Sequence, residues 1–156
     1  ELEWAKPFRD AIYETYGKQR LQQSGVTSER LPLLIGERTP QPAYARFAQR
    51  VLEAPADRQL VADRIAVLFE RLTWMERELE DGRPWLLGEH YSFADIALAP
   101  RLAMFPFIGV EDLPVRFPRI GSFLERMTAR PAWAASDLRP GPELAPTAVG
   151  RLATTR

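Results

Sequence analysis

The stretch from Trp85 to Val110, WLLGEHYSFADIALAPRLAMFPFIGV, constrains this chain more than any other, because a turn in it opens directly into a long apolar run. Ser92 stands just before that run and Asp95 lies three positions on. The serine oxygen can accept from the Asp95 amide while the Asp95 carboxylate reaches back to the amide of Ser92. This is a capping box. Tyr91 and Ile96 occupy the two positions of a hydrophobic staple, which fixes the angle at which the chain enters the helix. From Ile96 to Val110 the one charged residue is Arg101, and a helix that is apolar nearly all round belongs in a core. Spanning a bilayer takes ~20 predominantly apolar residues, and here Pro100, Arg101 and Pro106 interrupt the run, so burial inside a protein domain is the better account. The expectation is the central buried helix of an all-helical domain, kinked where Pro100 removes the amide that would bond the Ile96 carbonyl.

The flanking sequence continues the helical theme. Val61, Ile65, Leu68, Leu72, Met75 and Leu79 alternate steps of four and three for about five turns, from a start at Asp57 to a left-handed stop at Asp81-Gly82. Glu1 to about Gln23 reads as a first helix, with Trp4, Phe8 and Ile12 at four-residue steps and Pro7 near its start. A second face of it carries Arg9, Tyr13, Tyr16 and Arg20. Those tyrosines fit two readings, rings packed at the rim of the core or the lining of a pocket. Ser24 to Gln41 is a turn-rich connector in which LPLLIG can fold back on the core. Thr39 can then cap a helix carrying Tyr44, Phe47, Ala48, Val51 and Leu52, stopped by Pro55. The loop Gly109 to Arg116 leads to a last helix, started by Pro118 and striped by Ile120, Phe123, Leu124 and Met127. Beyond Trp133 the chain is proline-rich. Mobility is expected there, with a lid over a pocket as the alternative.

Composition removes whole classes of chemistry. The 156 residues carry 21 basic and 21 acidic side chains, so no net field points to nucleic acid or an anionic membrane. Cysteine is absent, which removes disulfides, thiolate nucleophiles and sulfur metal sites, and fits a cytoplasmic location. With His90 the only histidine, no zinc or other nitrogen-sulfur site can be assembled, and no metal is expected. His90 lies two residues before a serine committed to capping and without a nucleophile-elbow pattern, so it reads as an exposed loop residue. Glu76 and Glu80, one turn apart, read as a solvated face rather than an acid-base pair. No glycine-rich phosphate cradle, internal repeat or basic-aromatic stripe is present.

Leu87, Gly88, Tyr91, Ser92, Ala94, Asp95 and Ile96 follow the pattern L-G-x-x-Y-S-x-A-D-I. With Phe117-Pro118 and Arg130-Pro131-Ala132-Trp133, this stretch resembles the helical C-terminal domain of the cytosolic glutathione S-transferases, well over Leu60 to Trp133 and loosely elsewhere. The resemblance implies an all-α, glutathione transferase C-terminal-like bundle of about five to six helices. It would occupy residues 1–136, with a proline-rich tail over 137–156. It also implies a soluble homodimer, a thioredoxin-like N-terminal domain that supplies the thiol-activating residue, and glutathione as co-substrate held mainly by that domain. The helical half would bind a hydrophobic electrophile through Arg9, Tyr13 and Tyr16, while Tyr91, Ser92, Asp95 and Ile96 are structural. No catalytic residue is expected in this chain, which alone should be inactive. The connector is similar to insertions in dehalogenase-like and etherase-like members. Because the same fold also serves as a docking surface in translation factors and other assemblies, a non-catalytic interaction module is the alternative.

Overall fold

The computed structural model describes residues 2–27, 29–30 and 53–136, and these form an all-α bundle with no strand among them. The Thr39-capped helix, most of the connector and the tail beyond residue 136 lie outside the described residues.

Helix α1 (Leu2–Ile12) runs through one π-helical turn, Tyr13–Gly17, into α2 (Lys18–Gln23), so the expected first helix is continuous but carries a local change of winding. Helix α3 (Arg58–Glu78) is capped by Asp57, whose carboxylate accepts from the Leu60 amide at 2.9 Å. Its stripe Val61, Ile65, Leu68, Leu72 and Met75 is buried, and so is Leu79 in the closing turn before Gly82 takes a left-handed φ of 79°. The α1 and α3 helices pack along each other. Two carboxylates, one on α1 and one in the π turn, lock the pair. Asp10 accepts from Arg64 Nε at 3.1 Å, and Glu14 accepts from the Asp57 amide at 3.2 Å, which fixes both the rotation of α3 and its first turn.

Helix α4 (Phe93–Ala103) starts at the Ser92–Asp95 capping box. The Asp95 carboxylate is fully buried and accepts three hydrogen bonds, from the Ser92 amide (2.7 Å), the Ser92 hydroxyl (2.9 Å) and the Leu86 amide (2.8 Å). The third bond is an addition to the box. It ties the turn held by Trp85 and Gly88 to the helix entrance.

Three sequence expectations are corrected here. The apolar run is not buried all round, since Phe93 is 82 % exposed and Ile96 46 % exposed while Ala99 and Leu102 face the core. Nor is it one helix. A tight turn at Phe105–Ile108 takes over after Ala103 because Pro106 offers no amide, and Gly109 ends it with φ 87°. Those later residues carry most of the burial, as Phe105, Ile108 and Val110 are fully enclosed. Second, the loop from Gly109 contains a helical turn, α5 (Leu113–Arg116), directly before α6 (Pro118–Thr128).

Third, Glu76 is not part of a solvated face. Phe117 stands at the N-cap of α6 and has no side-chain acceptor, so the first amides of that helix need one from elsewhere. Glu76 of α3 supplies it. Its carboxylate accepts from the amides of Arg119 (2.8 Å) and Ile120 (3.0 Å), while Arg119 also reaches Glu80 at 3.1 Å. A short helix α7 (Pro131–Ala135) closes the described chain.

These contacts rank the polar groups by consequence. Ser92→Ala should cost ~1 kcal/mol, as an ordinary cap does. Asp95→Ala leaves two amides without their acceptor at ~1–3 kcal/mol each, so a loss on the order of 3 kcal/mol is expected in urea unfolding. Equal losses would show that the carboxylate does no more than cap. For the interhelical cap, Glu76→Ala should cost ~1–2 kcal/mol. Glu80→Ala, which breaks an exposed pair, should cost no more than ~0.5 kcal/mol in the same measurement.

Candidate functional site

Arg9, Tyr13 and Tyr16 all lie on the first helical element, and its winding decides how they are presented. A π-helical turn closes i→i+5 rather than i→i+4 hydrogen bonds and so holds an extra residue. The turn Tyr13–Gly17 therefore sets Tyr16 and Arg20 out of phase with Arg9 and Tyr13. Local chemistry favours this. The buried Thr15 hydroxyl donates to the Ala11 carbonyl at 2.8 Å, a back-bond that competes with the helical ladder.

The three residues face different surroundings. Arg9 is exposed and its guanidinium meets Asp10 at 3.2 Å, which draws it toward the α1–α3 lock. Tyr13 is half-buried and lies across Gly17, where a Cβ would come within 3.0 Å of its ring. Tyr16 sets its ring edge against Phe107, with centroids 4.6 Å apart, and its hydroxyl accepts from Arg20 Nη1 at 3.1 Å. Tyr13 and Tyr16 thus share the π turn, and Arg9 stands one turn before them.

Two neighbours of this site escape a reading by helical period. Phe107 comes from the turn after α4. Lys18 is buried, with its ammonium 3.8 Å from Glu14 and without a hydrogen bond. The signal for a local peculiarity was Gly17. A glycine inside a helical pattern costs ~1 kcal/mol relative to alanine and so points to a packing requirement.

At the other end of α1 an apolar groove of about 200 Å³ opens between Trp4, the end of α3 and the start of α4. Trp74, Leu86, Leu87 and Leu98 line it, and Leu87 is 75 % exposed. His90 is exposed. Among the described residues no group of three or more His, Cys, Asp or Glu side chains could hold a metal ion, and no helix is long and apolar enough to cross a membrane.

Residues 41–135 match the family model described as glutathione S-transferase, C-terminal domain. The chain belongs to that family. Comparison with the curated proteins and with the solved structures found no match. The capped entrance to α4, the long striped α3 and the α6–α7 closure of this glutathione S-transferase C-terminal domain all fall inside the matched span, whereas the π turn precedes it.

If Gly17 is kept to seat the Tyr13 ring, Gly17→Ala should gain less than the ~1 kcal/mol that alanine ordinarily gains over glycine in a helix. The Tyr13 ring proton shifts should move in the NMR spectrum. A full gain with unmoved Tyr13 resonances would separate the glycine from the tyrosine.

Proposed function

We propose that this chain is the acceptor-binding and dimer-forming half of a glutathione-dependent transferase. Membership of the family carries the reading. The absence of cysteine from the sequence supports placing the thiol chemistry elsewhere. A thioredoxin-like domain joined ahead of α1 would bind glutathione and hold it as thiolate. The helical half would orient an electrophilic, hydrophobic acceptor for attack at carbon, lowering the barrier by fixing two reactants in a productive geometry.

Within this half, Arg9, Tyr13 and Tyr16 line the acceptor pocket. A π-helical turn suits that role, since such turns displace side chains from the helical stripe and recur at functional sites. The rings supply apolar faces, while the Tyr16 hydroxyl, already polarised by Arg20, supplies a polar tip. The groove beside Trp4, with exposed Trp74 and Leu87, suits docking of the preceding domain next to its junction with α1, because a contiguous apolar surface of this kind marks an interaction site. The setting is cytoplasmic, and the acceptor's identity is open to a screen of aryl halides, epoxides and aryl ethers.

The intact mass of the native polypeptide and its retention on glutathione resin test the assignment together. A mass larger by one thioredoxin-like domain, with retention, is the expected result. A mass close to that of this chain, with a stable partner recovered in pull-down, would make it a non-catalytic docking module. In the full-length enzyme, Tyr13→Ala and Tyr16→Ala should each raise KM for the acceptor roughly tenfold, equivalent to ~1.4 kcal/mol, and leave KM for glutathione unchanged. The 156-residue chain alone should give no conjugation.

A further inference from the structure

A second groove lies on the other side of α4, between that helix and the α6–α7 corner, and it shares no residue with the π turn. Its walls are Tyr91, Ile96, Pro100, Met127 and Trp133, with Arg130 among them, and its volume is about 130 Å³. Tyr91 and Ile96 are the staple pair. Both remain partly exposed, at 36 % and 46 %, because the groove opens beside them.

Arg130 distinguishes this place. Its guanidinium carbon lies 3.7 Å from the centre of the Tyr91 ring and 5.7 Å from that of Trp85, and those two rings meet edge to face at 5.1 Å. Stacking on an aromatic face engages the π surface of the guanidinium and leaves its N–H donors, which lie in its own plane, free to bond. Arg64, Arg83, Arg116 and Arg119 each pair with a carboxylate. Arg130 does not. Among the described residues none accepts a hydrogen bond from its guanidinium, and its Nε is buried without a partner.

We propose that this groove binds a small monocarboxylate with an apolar body, of the size of benzoate. The single cation calls for a single negative charge, and the fork of a guanidinium matches a carboxylate in two parallel hydrogen bonds. The apolar walls call for a hydrocarbon body rather than a phosphate. A cavity of roughly 150 Å³ lined by apolar side chains accommodates benzene, which sets the scale for a groove of this volume. The ring of the ligand lies between Ile96, Pro100, Met127 and Trp133, and its carboxylate meets Arg130. The inference rests on this groove and not on the transferase reading, so either can fail alone.

Titration of the full chain with benzoate, followed by ¹H–¹⁵N NMR and calorimetry, tests it. Saturable binding is expected, with shifts at Tyr91, Ile96 and the Trp133 indole. Benzyl alcohol, of similar size but uncharged, should bind at least tenfold more weakly, and benzylammonium should not bind. Ile96→Trp fills the groove from an exposed position and should abolish benzoate binding while helicity by circular dichroism is retained. Arg130→Met should reduce benzoate to the affinity of benzyl alcohol. Equal binding of benzoate and benzyl alcohol, undiminished binding in Ile96→Trp, or no saturation overturns the proposal. Should Arg130→Met fail to fold, the alcohol and Ile96→Trp comparisons decide.

Discussion

The buried carboxylate of Asp95 is the contact on which the arrangement of the domain depends. A carboxylate taken out of water must have its lone pairs satisfied, and here three donors from the preceding turn satisfy them. Because Leu86 is one of the donors, the bond set spans the turn as well as the helix start. Trp85 and Tyr91 flank that turn and pack edge to face. Arg130, at the corner between α6 and α7, stacks on both rings. One side chain thus connects helix entry, loop shape and the closing corner of the bundle.

A second set of carboxylates works between helices. Asp10 on α1 and Glu14 in the π turn sit four residues apart and reach the side and the start of α3, so α1 is fixed in rotation relative to it. The π turn therefore carries one of these two contacts itself. With α1 held on one side and Phe107 against Tyr16 on the other, the change of winding has little freedom to relax. Presentation of Tyr13 and Tyr16 is therefore tied to packing rather than to the tyrosines themselves.

Much of the fold was legible in the chain, and for local reasons. A capping box involves residues three apart, and the α3 stripe repeats at the helical period, so both can be read without knowing what they touch. Burial of α4 could not be read this way. Apolar composition tells that a face shuns water but not what covers it, and Phe93 and Ile96 turned out exposed. Glu76 was hidden by distance, since the amides it accepts from lie 43 and 44 residues away. Arg9, Tyr13 and Tyr16 were singled out by family resemblance, and the sequence held no direct sign of the π turn beyond Gly17 and Thr15. The groove around Arg130 arises from three separate elements, which no local pattern announces.

The cap that α3 lends to α6 bears on the order in which the molecule assembles. A helix of eleven residues is marginal on its own, and α6 begins with amides whose acceptor is on another element. Its helical state is therefore conditional on α3 being formed and docked, after a loop of some forty residues has closed. The two helices should gain structure together rather than one after the other. Hydrogen exchange at Arg119 and Ile120 would then report the opening of the α3–α6 contact rather than fraying of a helix end.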